Sequence, residues 1–423
     1  MTLKSPSNAS PLIALQHRNF RLLWLGQLIS LSGSTMQTAA ILWQVALRVP
    51  ENQKGLALGL VGLTKVVPIV IFSLISGVVA DAVDRRKLML LTQTAMTLVA
   101  AALAVFTFSG LKGLWPIYAL AALSAAFGSF DAPARQSLIP NLVPREHYPN
   151  AISLNAVMQQ TASVLGPTLA GLVLATLGIG WAYTFNALSF LAVIAALLLM
   201  RDIPARVGET PKVSLTAAVE GLRYVFSAPL IRSTMLLDFF ATFFSSATTL
   251  LPIFAQDILK VGPQGFGWLY AAPSMGAMLA SFVLVRFAER INRRGRILLV
   301  AIFIYGAATA VFGFSRSFWL TFACLAVTGA ADMVSTILRN IIRQLSTPDA
   351  LRGRMVSVNM IFFMGGPQVG ELEAGLVANW LGAPFSVISG GLACLLFTVW
   401  VGWQTPMLRR YRREAERPAA PAA

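Results

Sequence analysis

The sequence predicts an all-α polytopic membrane protein, with twelve transmembrane helices in two pseudo-symmetric six-helix bundles. Three observations carry this reading. The 423-residue chain is 56% hydrophobic and only 12% charged, where a soluble protein of ordinary composition carries about twice that charge. Its mean hydropathy is +0.70, and the apolar residues fall in long runs, of which one spanning helix needs roughly 20. The two halves also repeat. Arg135 and Arg339 lie 204 positions apart, as do Asn155 and Asn359, Gly166 and Gly370, and Gly171 and Gly375. An outer-membrane barrel would instead alternate polar and apolar residues in segments of ~10.

The elements follow in order. Residues 1–18 form a polar tail, and a first bundle occupies 19–200, with spans near 20–47, 55–80, 88–109, 114–137, 150–176 and 179–200. Residues 201–228 are a polar linker with Pro204 and Pro211, in which Leu215, Val219, Leu222, Val225 and Phe226 have the spacing of an interfacial amphipathic helix. A second bundle occupies 229–405, with spans near 230–256, 264–288, 296–314, 318–343, 355–380 and 384–404. A basic tail, 406–423, closes the chain with Arg409, Arg410, Arg412, Arg413 and Arg417.

The formal net charge of +16 does not indicate nucleic acid. The bases sit at the ends of apolar runs, and no basic patch interleaves with aromatics in a polar segment. Their distribution is the positive-inside pattern. The two tails, the Arg85 loop, the linker, the Arg290–Arg296 cluster and Arg352–Arg354 share one side. Both termini are therefore expected in the cytoplasm, and the chain in a cell inner membrane. The first apolar run is too long for a cleaved signal and is expected to stay as an anchor. Cys324 and Cys394 lie inside apolar runs and are expected to be reduced.

One stretch is more than a topology signal. Gly77 to Lys87 reads Gly-Val-Val-Ala-Asp-Ala-Val-Asp-Arg-Arg-Lys, and a worn copy recurs after the eighth span, with Glu289 at the place of Asp81 and Asn292-Arg293-Arg294 at the place of Asp84-Arg85-Arg86. Six plus six spans, a central cytoplasmic loop and this Gly-x-x-x-Asp-x-x-(Asp)-Arg-Arg-Lys loop resemble the major facilitator superfamily over nearly the whole chain. The resemblance implies the major facilitator fold. It also implies a cytoplasmic gate formed by Gly77, Asp81, Asp84, Arg85 and Arg86, with Glu289, Arg293 and Arg294 as its second copy. Gly166, Pro167 and Gly171 are similar to the Gly-Pro motif of the superfamily's exporters. Asp131-Ala-Pro-Ala-Arg135 with Pro140-Asn-Leu-Val-Pro144, and Glu220-Gly-Leu-Arg-Tyr-Val, resemble the branch of siderophore (enterobactin-type) exporters and macrolide efflux proteins.

Polar residues at hydrocarbon depth are costly, so they face a cavity or another helix. Here they form helical stripes. The first span carries Gln27, Ser30, Ser34, Gln37 and Gln44, and the seventh Asp238, Thr242, Ser245, Thr249 and Gln256. The fourth carries Ser124, Gly128, Asp131 and Arg135, and the tenth Thr328, Asp332, Ser335 and Arg339, each 204 positions on. In the resembled family these four spans line a central cavity. Asn155, Gln159, Asn359 and Phe363 complete the candidate cavity set. Interhelical hydrogen bonding is the competing role for each stripe. Asp131/Arg135 and Asp332/Arg339 are candidate intrahelical ion pairs.

A carboxyl group held away from water favours its neutral form and so takes up and releases protons more readily. Asp131, Asp238, Asp332, Glu371 and Glu373 are the proton-coupling candidates. Glu371 and Glu373, two residues apart, point in different directions from one helix. Lys65, deep in the second span, is expected to pair with one of these acids or to meet an anionic substrate.

Other chemistry is missing from the sequence. There is no Gly-x-x-x-x-Gly-Lys-Ser/Thr phosphate loop. His17 and His147 have no Cys or second His at metal-ligand spacing, so no metal is expected. No soluble segment is long enough for a catalytic domain. The expectation is a non-enzymatic, cofactor-free monomer in the lipid bilayer, driven by the proton gradient. It would export an amphipathic small molecule, a siderophore or a drug, by antiport, as multidrug resistance proteins do. Proton-coupled nutrient uptake and a lysophospholipid or lipid flippase are the alternatives.

Overall fold

The computed structural model describes residues 11–201, 222–245, 247–287 and 291–412. Expectations on Glu289, on most of the 215–226 linker helix and on the side chains of Gly77, Asp81 and Phe363 lie outside that description. The described residues contain helices and no strand.

The long helices are α1 (Arg18–Arg48), α2 (Lys54–Ala82), α3 (Arg85–Phe108), α4 (Trp115–Leu138), α5 (Tyr148–Thr176) and α6 (Ile179–Leu199). They continue with α7 (Pro229–Phe244), α8 (Gly262–Phe287), α9 (Arg294–Phe314), α10 (Phe318–Ser346), α11 (Asp349–Leu381) and α12 (Ala383–Gln404), and a short α13 (Pro406–Arg410) follows. Ten helices among the described residues are long and apolar enough to cross a membrane. The polar stripe explains why α1, at 31 residues, is not among the ten: Gln27, Gln37 and Gln44 dilute its apolar run.

The seventh span departs from the continuous helix expected over 230–256. It is helical to Phe244, then passes through a 3-10 turn (Ala247–Leu250), a short α segment (Leu251–Ile253) and a π turn (Phe254–Ile258). Pro252 offers no N–H to the preceding turn, which breaks the regular ladder.

The repeat is visible in the backbone. Gly178 and Gly382, 204 positions apart, both take positive φ (96° and 89°) immediately before α6 and α12. An L side chain is strained in that conformation, so glycine serves at both corners.

The chain divides into two compact units, Met1–Ile41 with Val67–Pro211, and Leu42–Val66 with Lys212–Ala423. In the first, α3 packs on α4 and α6, around a core that includes Phe20, Met89, Leu138, Leu154 and Leu197. The residues before α1 are pinned there. Asn150 accepts from Ala14 N (3.0 Å) and donates to Pro11 O (2.7 Å). The two histidines do not stand alone: His17 Nε2 and His147 Nδ1 share a hydrogen bond of 2.8 Å. In the second unit, α8 packs on α10, α9 on α10 and α12, and α7 on α11. Its core includes Leu237, Leu298, Ile302, Leu338, Ile342 and Val401. The tip of the α1–α2 hairpin, 42–66, belongs to this second unit.

Candidate functional site

The second unit holds a buried charge network. Asp238 on α7 and Arg339 and Arg343 on α10 are each 2% exposed. Asp238 Oδ1 lies 2.8 Å from Arg339 and Oδ2 lies 3.3 Å from Arg343. Asp332 stands 3.6 Å from Arg339, with its side chain 45% exposed. Two acids therefore balance two guanidiniums, but only one acid is dry. Arg343 also donates to Thr234 Oγ1 (3.1 Å), Thr234 O (2.7 Å) and the Asn359 side chain on α11. Arg339 donates to Thr336 Oγ1 at 2.9 Å. Paired in this way, the charges become tolerable in an apolar interior, although Arg339 Nε has no hydrogen-bond partner among the described residues. The expected Asp332/Arg339 contact is present, but Asp238 is the nearer partner, because α7 presents its carboxylate closer than the acid on Arg339's own helix.

Arg343 was not among the residues that the sequence singles out. The position 204 before it is Ile139, so the repeat gives no hint of it. Its i, i+4 spacing from Arg339, on one face of α10, is the signal that was there to read.

The first unit uses the matching arginine in the same way. Arg135 on α4 donates to Gln27 Oε1 on α1 at 2.8 Å, as Arg339 on α10 meets Asp238 on α7. The expected Asp131/Arg135 ion pair does not form. Asp131 instead accepts from Thr92 Oγ1 (3.1 Å) and Gln93 Nε2 (2.9 Å) on α3. The two side chains leave one helix face but turn to different neighbouring helices, each of which offers a better-placed partner.

The other stripe residues divide between packing and open positions. Gln37 accepts from Asn186 on α6 (2.8 Å), and Ser30, Ser245 and Thr249 are buried. Ser34 donates to Ser30 O (2.9 Å) and Thr242 to Asp238 O (2.8 Å). Ser124 and Asn155 are half-buried, and Gln159 is exposed.

The hairpin tip makes a clasp within the second unit that the sequence did not indicate. Lys54 Nζ donates to both oxygens of Asp257, at 2.9 and 2.7 Å. Trp43 meets Phe266 with ring centroids 5.1 Å apart. Thr249 donates to Leu58 O at 3.2 Å. Small residues allow the backbones to touch: a Cβ on Gly375 of α11 would lie 2.5 Å from Gly55 O and 2.6 Å from Gly59 Cα.

Glu371 lies one turn before Gly375 on α11 and reaches the same hairpin. A Cβ on Gly62 would sit 2.8 Å from its Oε2, and that oxygen is buried with no hydrogen-bond partner among the described residues. Lys65 follows Gly62 by three positions, on the same side of α2. Glu373 faces elsewhere, as its spacing predicts. It lines a cavity of about 370 Å³ with Phe243, Val369, Leu372, Leu376, Val377 and Trp380.

Around the gate motif, Asp84 caps α3. Its Oδ1 accepts from Arg86 N (2.8 Å) and Lys87 N (3.1 Å), which satisfies two free donors of the first turn. Arg85 donates to Ser137 O (2.9 Å) and Arg86 to Leu198 O (3.3 Å). In the second copy, Arg293 precedes α9 and is exposed, while Arg294 is buried. In the Gly-Pro stretch of α5, a Cβ on Gly166 would lie 1.8 Å from Thr35 Oγ1 and 2.5 Å from Ser32 O on α1. Pro167 lies inside α5, and Pro167 and Gly171 are buried. Among the described residues, no group of three His, Cys, Asp or Glu side chains converges to hold a metal.

A family profile described as transmembrane secretion effector matches residues 9–420. The enterobactin exporter EntS of Escherichia coli O1:K1 / APEC is 27% identical over 400 residues, covering 94% of this chain and 94% of its own. A bacterial homologue of the human lysosomal transporter Spinster, solved in an inward-facing and unoccupied conformation, is similar with a TM-score of 0.69 at 17% identity, covering 96% of this chain and 99% of that one. A POT family transporter in complex with 5-aminolevulinic acid has a TM-score of 0.74 at 11% identity, with 92% and 96% covered. At these identities the two structures show a shared fold.

Proposed function

The chain belongs to the transmembrane secretion effector family of the major facilitator superfamily, multi-pass membrane transporters of small molecules and not enzymes, and from that premise we propose that it exports a siderophore-class molecule. One observation carries the direction and the substrate class: similarity to an enterobactin exporter runs through 94% of both chains. Twelve spans, an inner-membrane location and cytoplasmic termini complete the proposal, on the positive-inside distribution. The working unit is a monomer, and alternating access exchanges the substrate for protons.

Glu371 is the proposed proton carrier. It is a buried carboxylate with one unpartnered oxygen, set against the hairpin tip that Lys54 and Asp257 clasp. Taking up a proton removes its charge and its attraction for Lys65. That loosens the seat of the hairpin on α11, and losing the proton restores it. Asp238, by contrast, is committed to Arg339 and Arg343 and acts as a structural anchor. The half-buried and exposed stripe residues Ser124, Asn155 and Gln159 are proposed to face the substrate path, and the gate motif to act as the family resemblance implies.

The test is export of a catecholate siderophore from cells or proteoliposomes over a range of external pH. Glu371→Gln should export slowly and lose most of its pH dependence, while Glu373→Gln should behave as wild type. Wild-type export and an unchanged pH profile in Glu371→Gln would overturn the proton assignment. Failure of the wild-type chain to move any siderophore would overturn the substrate class.

A further inference from the structure

The second unit carries a basic cup that transport does not explain. Arg293, Arg296, Arg409, Arg410, Tyr411 and Arg412 line a cavity of about 340 Å³, within the ~300–1,000 Å³ range of small-ligand pockets. Among the described residues, no carboxylate forms an ion pair with any of the five arginines. Five like charges gathered around one small space favour an anion among them.

The cup is assembled by tertiary structure from stretches more than 100 positions apart. Gly295 N donates to Tyr411 O at 3.3 Å. A Cβ on Gly295 would sit 1.7 Å from Leu408 O, so the glycine permits this contact. Leu408 is fully buried among Leu298, Ile302 and Val401. The tail is thus bolted to the start of α9, which brings the five arginines together with their side chains exposed to solvent.

Its position identifies the ligand. α9 and α12 are both apolar enough to cross a membrane, and the cup lies where the one begins and the other has just ended. That is headgroup depth. Exposed Trp403 and Met407 stand beside it in sequence, as interfacial side chains do at the edge of the hydrocarbon. The arginine distribution assigns this end to the cytoplasmic side, where basic pockets between spans meet anionic lipid headgroups. Guanidinium forks match phosphate oxygens two at a time.

We propose that this cup binds the headgroup of an anionic phospholipid, with preference for one carrying two phosphates. Five forks exceed what one phosphodiester can occupy, and a bisphosphate headgroup bridges both edges of the cup.

The test uses the purified full-length chain in mild detergent, with lipid binding read by native mass spectrometry. The probes are diphosphatidylglycerol, phosphatidylglycerol, phosphatidylethanolamine and inorganic pyrophosphate. Wild type should bind them in the order diphosphatidylglycerol, phosphatidylglycerol, phosphatidylethanolamine, and less tightly as salt rises. Arg409→Gln/Arg410→Gln/Arg412→Gln should weaken diphosphatidylglycerol binding by about tenfold or more, the loss of at least one charge-assisted hydrogen bond. Arg145→Gln, in the first unit, should change nothing. Where the triple glutamine variant fails to insert, the triple lysine variant keeps the charge and the orientation and should still bind more weakly than wild type, having lost the forks. Three results would each overturn the proposal: undiminished lipid binding in both triple variants, equal binding of phosphatidylethanolamine, or displacement of the lipid by an equal concentration of pyrophosphate.

Discussion

Replacing Asp238 by asparagine tests whether the charge network holds the second unit together. The carboxylate and both of its arginine partners are each 2% exposed, and they lie 2.8 and 3.3 Å away. Removing one member of a buried ion pair costs about 3–5 kcal/mol, because the remaining charge is left dry and unbalanced. Arg343 keeps Thr234 and Asn359, and Arg339 keeps Thr336 and a longer contact to Asp332. Those partners place the expected loss near the lower bound, about 3 kcal/mol. Asp332→Asn is the internal comparison. Its side chain is 45% exposed and 3.6 Å from Arg339, so solvent screening limits its loss to about 1 kcal/mol or less. The assay is equilibrium unfolding in mixed micelles. Asp238→Asn/Arg343→Gln should recover part of the loss, since one stranded cation goes with its acid. Equal losses for Asp238→Asn and Asp332→Asn would refute the reasoning, and so would a double variant that is the sum of its singles.

The clasp offers a charge-swap test. Asp257→Ala should raise maleimide labelling of a Thr249→Cys reporter about fivefold, the equivalent of losing a partly exposed ion pair worth about 1 kcal/mol. Lys54→Asp/Asp257→Lys should return labelling towards the starting rate, and no change in either variant would show that the contact does not hold the tip. On α5, Gly166→Ala should lower stability by about 1–3 kcal/mol through overpacking. Thr35→Ala should rescue it only in part, because Ser32 O remains 2.5 Å from the added methyl. Complete rescue would mean that the α1 backbone yields at that point.

How far the site was legible depends on the kind of signal. The stripes on α1, α4, α7 and α10 were readable because a polar group in a long apolar run is anomalous wherever it ends up. The opposed directions of Glu371 and Glu373 followed from helix geometry alone. Partner choice was not legible. Asp131 and Arg135 share a helix face, yet one turns to α3 and the other to α1. Lys54 and Asp257 are 203 positions apart, and His17 and His147 are 130 apart. Nothing in composition or spacing says that these meet.

Composition, periodicity and the internal repeat determined, on their own, that this chain is a helical, multi-pass membrane protein built from two repeated halves, and the resemblance of its Gly77–Lys87 loop implied a major facilitator transporter. Those properties depend on local hydropathy and on motifs contained within single helices and loops. Tertiary structure alone decided which charges neutralise one another, where α7 breaks, that the α1–α2 tip joins the second unit, and that two distant arginine stretches close into one cup. Each of those depends on which helices pack side by side, and in an apolar interior a charged side chain must take whichever partner the neighbouring helix presents.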